Sequence, residues 1–286
     1  MALNLDAIGR KIGPLTRHYD WKDVILYALG VGSGFDELDY VYEKHLKVIP
    51  SFSIAAVLNI LAEVKAASGV NVAGILHGEQ ELVFYNPIPT SGAFITEARI
   101  LNYYDKGEEG ALIVWESNTS HSNGQKLFTN IHTIFSPLDG GFDGQNAPAR
   151  VVKFPACEPD FRVRETPSPN QPLLYRLSGD FFKLHVDSEF AAMAGFEKPV
   201  MHGLCTHGFS CRALIKSLCP GHPEMARRMA CRFSKPLYPG DPIEILIWKT
   251  AAGEAVWRVL NSKTGDLVID KGIFEYGKIP ENGREH

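Results

Sequence analysis

The 286-residue chain has no apolar run of membrane-span length, no Cys-x-x-Cys and no His-Glu-x-x-His. The first absence argues against a transmembrane helix, and the other two remove the commonest short signatures of dithiol redox chemistry and zinc hydrolysis. Its five cysteines, odd in number and without paired spacing, suit a reducing compartment better than a disulfide framework. An excess of either charge is missing too: 29 Lys and Arg stand against 33 Asp and Glu, a formal net charge of −4. That balance argues against general nucleic-acid binding and leaves room for a local basic patch gripping a small anion. The first residues are interrupted by Asp6, Arg10, Lys11 and Pro14 before signal-peptide length is reached, and the last four, Gly-Arg-Glu-His, are not a Ser-Lys-Leu peroxisomal address. The expectation is a cytoplasmic protein with neither membrane nor nucleic acid as partner.

What is present is the composition of a globular protein, 45% hydrophobic and 22% charged, long enough to bury a sizeable core. Two stretches follow one plan. Residues 1–150 carry helical periodicity in WKDVILYALGVG and PSFSIAAVLNILAEVKAA. Alternating strands follow in GEQELVFYNPI, GAFITEARILNYYD, GALIVWESNTS and GQKLFTNIHTIFS, separated by Gly, Pro and Asn turn signals. Residues 151–172 lie in a Gly- and Pro-dense run and read as a linker and crossover. In residues 173–286, Met201, Leu204, Cys205, Ala213, Leu214 and Leu218 predict one long buried helix, bounded by Pro199 and by Pro220-Gly221. Three strands are predicted after it, in DPIEILIWKT, EAVWRVLNSKT and DLVIDKGIFEYG. A helix wrapped by an antiparallel sheet, twice over, is an α+β architecture.

Several residue patterns invite a chemical reading. Gly30, Gly32 and Gly34 look like a phosphate loop, but such a loop follows a strand and opens a helix; here it follows a helix and predicts a helix-ending turn. Cys205, Cys211 and Cys219 read as helix-packing residues, and His77 and His207 as packing or hydrogen-bonding residues ahead of acid/base groups. In GDFFKLHVDSEFAAMAGFEKPVMHG, Asp187 or Ser188 is placed to cap a short helix running to Ala194. Asp180 and His185 sit at its entry. By residue type alone they form either an acid/base pair facing one cleft or a turn-closing carboxylate with its satisfied partner. Gly203, following His202 at the first turn of the long helix, offers a free N–H backed by the helix dipole, as an oxyanion requires.

The segments YRLSGD, LHVDSEFAAMAGFEKPVMHGLCTHGFS and CRFSKPLYPGD resemble the MaoC-type (R)-specific 2-enoyl-CoA hydratases, and LYALGVG and LHGEQEL resemble the N-terminal repeat of the two-repeat members. The similarity covers nearly the whole chain. It implies a double hot-dog fold, each repeat wrapping a sheet around a central helix, with catalysis in the C-terminal repeat and an acyl pocket shaped by the N-terminal one. The implied reaction is syn addition of water to a trans-2-enoyl-CoA, giving a (3R)-3-hydroxyacyl-CoA, or the reverse, without metal or redox cofactor. Asp180 and His185 would hold the water and exchange its protons, and the Gly203 N–H would hold the thioester oxygen. Phe182, His202, Arg232 and Lys235 complete the expected substrate-binding set, the last two for the CoA phosphates unless they are simply solvated charges. The sequence departs from the family's Asp-x-Asn-Pro-x-His at Phe182 and Lys183, and a Phe cannot supply the hydrogen bond of that Asn. The rival readings are a catalytically silent acyl-CoA-binding protein and a hot-dog thioesterase. A homodimer is the expected assembly.

Overall fold

A computed structural model describes residues 3–72 and 74–278. The first half begins with β1 (Lys11–Tyr19) and α1 (Trp21–Gly30), whose start is fixed by the Asp20 carboxylate accepting the Lys22 N–H at 2.7 Å while Asp23 accepts the Asp20 N–H at 2.9 Å. It continues through α2 (Leu38–Val41), α3 (Ser53–Val57) and α4 (Leu61–Ser68) to four strands, β2 (Leu76–Phe84), β3 (Gly92–Asp105), β4 (Ala111–His121) and β5 (Lys126–Ser136). The second half contains β6 (Phe161–Glu165), α5 (Gln171–Tyr175), α6 (Ser188–Met193) and α7 (Gly203–Leu218), then β7 (Ala226–Phe233), β8 (Ile243–Ala251), β9 (Glu254–Asn261) and β10 (Leu267–Tyr276).

All ten strands join one sheet, in the order β1-β3-β4-β5-β2-β7-β10-β9-β8-β6. Read from either end the two halves are the same, each strand of the first matched by the strand five places later in the chain. The halves meet in antiparallel register at β2 and β7, Glu79 opposite Arg232 and Leu82 opposite Met229. Arg228 clamps the seam, its Nε 2.7 Å from Glu81 and its Nη1 2.8 Å from Glu275. Alternation drives the outer strands: β4 exposes every second residue more than its neighbours, as a sheet with one face on a core requires.

Three strands lie outside the sequence expectation. β6 falls inside the stretch read as a linker, where it pairs with β8 from Phe161 opposite Ile247 to Glu165 opposite Ile243. Arginines at every second position of this short edge strand hide its pattern. β1 carries Pro14, which marks edge strands, and an edge is where it lies. β7 is central despite three arginines: Arg228 is ion-paired with Glu81 and Glu275, Arg227 donates to the carbonyls of Glu224 and Ala226, and Arg232 is exposed.

The long helix α7 is buried continuously from Leu204 to Ile215 and packs in one core with residues of both halves, among them Phe52, Phe94 and Trp257. The Gly30–Gly34 segment is a helix-ending turn seated against it. Gly32 has φ +88°, and a Cβ there would come within 2.3 Å of the Phe209 ring. Arg212 of α7 donates to the Val31 carbonyl at 2.9 Å and from Nε to Glu37 at 2.8 Å, and Gln171 donates to the Gly30 carbonyl at 2.7 Å. These bonds satisfy the open end of α1 and tie the halves together.

Candidate active site

The chain enters the site through a tight turn at Gly179, φ +125°, and a single turn of helix at Lys183–His185. Asp180 does close the turn, accepting the Phe182 N–H at 3.4 Å, but its carboxylate also lines a large cavity. The His185 ring is fixed from behind: its Nδ1 is 2.8 Å from the Val200 carbonyl. A carbonyl only accepts, so Nδ1 carries the proton and Nε2 keeps a free lone pair. Burial lowers the His185 pKa below its ordinary value, opposed by the Asp180 charge and the Val200 bond, so the imidazole is held neutral with its Nε2 lone pair available.

His202 lies behind this pair and is not among the cavity-lining residues. It is buried, its ring stacks on His185 at 3.7 Å, and its Nε2 donates to the Asp180 carbonyl at 3.2 Å. Burial, reinforced by the neighbouring His185, pushes its pKa down to about 2. His202 therefore acts on the backbone of one member of the pair and the ring of the other. Ligand atoms of Asp180, His185 and His202 lie within 4.8 Å of one another, a spacing that a metal ion can bridge.

Gly203 opens α7 with no side-chain cap at His202, and its N–H has no protein acceptor among the described residues. A Cβ at this position would stand 3.1 Å from the Phe233 ring, so glycine keeps the approach to the N–H clear. The cavity has a volume of about 990 Å³ and joins Asp180, His185 and Gly203 to the first half of the chain. Its volume suits a sizeable organic ligand. Phe182 lines it with its ring edge-on to His185, centroids 6.0 Å apart, and packs on Phe190 at 5.3 Å. Arg232 and Lys235 line it too, exposed and without an ion-pair partner among the described residues. Asp187 caps α6, accepting the N–H groups of Glu189 and Phe190 at 3.0 and 3.1 Å, and so sets the exit of the loop.

Sequence reasoning did not single out Lys65, Trp115 or His132, all of which line the same cavity from the first half. Burial lowers the Lys65 pKa and the Asp180 charge raises it, so the two side chains are within electrostatic reach. No local pattern marks them, because they reach the site only through the pairing of β2 with β7.

Comparison with known proteins gives a consistent result. Residues 18–137 match the family described as MFE-2 hydratase 2 N-terminal domain, and residues 151–271 the one described as MaoC like domain. The chain is 34% identical to a probable enoyl-CoA hydratase 2 of Dictyostelium discoideum, covering 93% of this chain and 94% of that protein. It is 36% identical to the peroxisomal multifunctional enzyme type 2 of Mus musculus over 97% of this chain, which spans 39% of that longer protein. A MaoC-like dehydratase from Phytophthora capsici superposes with a TM-score of 0.86 at 30% identity, covering 96% of this chain and 99% of that one. Among the described residues no helix is long and apolar enough to cross a membrane.

Proposed function

The chain belongs to the two-repeat hydratase 2 family of MaoC-like, double hot-dog proteins, and from that premise we propose how its residues divide the work of hydrating a trans-2-enoyl-CoA to a (3R)-3-hydroxyacyl-CoA. The observation that carries the assignment is the convergence of a neutral imidazole, a carboxylate and an unpaired helix-terminal N–H on one cavity. Water sits between Asp180 and His185. As its oxygen bonds Cβ, one proton passes to the pair and the double-bond electrons move toward the thioester. The resulting enolate oxygen accepts the Gly203 N–H, strengthened by the dipole of α7. The pair then returns a proton to Cα on the same face, which makes the addition syn. One water is added and no redox change occurs, so the step requires no redox cofactor. His202 is a positioning residue, holding the Asp180 backbone and the His185 ring. Arg232 and Lys235 hold the CoA phosphates at the cavity mouth.

Crotonyl-CoA tests the reading, with enoyl absorbance and free thiol followed together. Loss of absorbance without thiol release is expected. Thiol release would indicate a thioesterase, and no change with tight binding a silent binder. Asp180→Asn and His185→Gln should each retain the parent's thermal transition while losing about 10²–10⁴-fold in kcat, the usual contribution of acid/base catalysis. Full activity in either variant would overturn the roles. Replacing both Arg232 and Lys235 with Ala should raise KM for CoA esters well beyond any change for pantetheine esters. Equal effects on the two would remove the phosphate role.

A further inference from the structure

We propose that Arg17, a residue of the first repeat, is a positioning residue for the reaction: it fixes the peptide that leads into Asp180 and so sets where that carboxylate stands relative to His185. The proposal rests on the hydratase reading above and adds a residue to that same site.

Arg17 puts a charge where its strand calls for an apolar side chain. Along the second half of β1, Leu15, Arg17 and Tyr19 are the more buried positions, while Thr16 and His18 are exposed. Tyr19, on the same face, stacks on Phe94 at 4.1 Å within the core. Burial lowers the Arg17 pKa, opposed by the Asp23 charge. A guanidinium taken partly out of water is costly unless its donors are used. They are used on two carbonyls: Nη1 donates to Ala55 in α3, and Nη2 to Ser178 at 3.2 Å. Each carbonyl lies where a helical turn ends, α3 at Val57 and the turn of Arg176–Ser178 at Ser178. Carbonyls at such ends lack intrahelical partners and favour a cation.

One side chain thus joins a helix of the first repeat to the entry of the catalytic loop in the second. Between Ser178 and Phe182, among the described residues, two hydrogen bonds reach distant parts of the chain. They are Arg17 on the Ser178 carbonyl and His202 on the Asp180 carbonyl, the latter at 3.2 Å. Gly179 lies between these two grips with φ +125°, a conformation that glycine adopts freely, so the link between them is soft. Leu58, which follows α3 and lines the cavity, backs the same turn: its Cδ1 is 3.2 Å from where a Gly179 Cβ would stand. His185 is held separately, through the Val200 carbonyl. Releasing Arg17 therefore loosens one member of the pair and leaves the other in place. Arg17 is not among the described residues that line the cavity, so it acts through Asp180 and not on substrate.

The test measures hydration of crotonyl-CoA by the parent, Arg17→Met and Arg17→Lys, and titrates the His185 imidazole of each by NMR. Arg17→Met keeps the length and loses the donors. It should fold, with kcat down about tenfold and KM within about twofold, because misplacing a catalytic group costs rate and not binding. Arg17→Lys, whose ammonium can donate to the same carbonyls without the fork, should regain part of kcat. In Arg17→Met the His185 ring should titrate at lower pH than in the parent. The Asp180 charge that raises its pKa is then held less closely, while the His202 ring remains stacked on it. If Arg17→Met does not fold, Arg17→Gln, which keeps a donor for one of the two carbonyls, takes its place. An unchanged kcat in the folded variant, a change confined to KM, a lysine variant no better than the methionine one, or an unmoved His185 titration would each overturn the role. If the parent hydrates crotonyl-CoA and any of these is found, the role of Arg17 fails alone. If the parent hydrates no enoyl-CoA while the variant still shifts the His185 titration, the hydratase reading fails and the grip of Arg17 on Asp180 stands.

Discussion

Phe182 occupies the point in the loop where a water-holding Asn is replaced by an aromatic ring, and its environment says what the exchange does. Phe182 is 42% exposed and lines the cavity, its ring edge-on to His185 and packed on Phe190. In the proposed mechanism the exchange removes one hydrogen bond to the attacking water, at a cost of roughly 0.5–1.5 kcal/mol, or up to about tenfold in rate. In return it shields His185 from bulk solvent, and burial is the leading cause of that imidazole's lowered pKa. Phe182→Asn should therefore raise kcat/KM for short linear enoyl-CoAs and weaken a bulkier native substrate. Its pH profile supplies an independent reading. In the proposed mechanism His185 acts as a neutral base, so activity should fall as pH drops through its pKa, which in the parent lies below the ordinary imidazole value of about 6.5. In the variant that acid limb should move upward. A limb that stays in place, with unchanged rates on every chain length, would mean that the ring does not act on the site.

At the scale of the element, α7 does two jobs at one end. Its body is the buried axis of the second repeat, and its first residue presents the N–H that the oxyanion needs. The two demands separate at Gly203, where an added methyl group meets Phe233 at 3.1–3.2 Å. Phe233 is only partly buried and borders the cavity, so its ring can yield into open space. Gly203→Ala should then leave the thermal transition nearly unchanged, since Ala is the better helix former by about 1 kcal/mol. The displaced ring narrows the approach to the N–H, and kcat/KM should fall about tenfold, or ~1.4 kcal/mol of transition-state stabilisation. Loss of folding in place of loss of rate would show that glycine is required there for packing.

The whole molecule carries imidazoles that the proposed reaction does not use, His207 fully buried and His77 partly so, and their consequence is global. His77 and His207 are held neutral by burial, with pKa values of about 4 and about 3, against about 6.5 in an unfolded chain. Above pH 6.5 both states are neutral and stability is at its full value. As pH falls below that, the unfolded chain binds protons that the folded one refuses, so stability is lost progressively down toward the folded pKa values. Each unit of difference is worth about 1.4 kcal/mol. Urea midpoints should therefore drop steeply between pH 6.5 and pH 4. His207→Phe, which removes two unpaired buried nitrogens beside Trp257, should match or exceed the parent at pH 7, and its advantage should grow as pH falls. A pH-independent difference between the two would show that His207 is not buried in the neutral form. The core shared by both halves and the buried Arg212–Glu37 ion pair lead us to expect one cooperative transition in these measurements.

The sequence by itself determined the repeat plan, the alternating strands β2 to β5 and β8 to β10 and the long helix, all written in local periodicity. Asp180, His185 and Gly203 stood out as candidates, their roles implied by the family resemblance. It did not reveal β1, whose strand pattern is broken by Pro14, or β6, which alternates arginines within an apparent linker. The tertiary structure alone decided that β2 pairs with β7, a contact between residues about as far apart as Glu79 and Arg232. That pairing obeys backbone hydrogen-bonding geometry, which any extended segment can satisfy, so no residue pattern announces it. Through it His77, His132, Trp115 and Lys65 come to line one cavity with the Asp180–His185 loop of the other repeat. The candidate site was therefore legible in one short segment, while the cavity it opens on was completed by residues brought there from the first half of the chain.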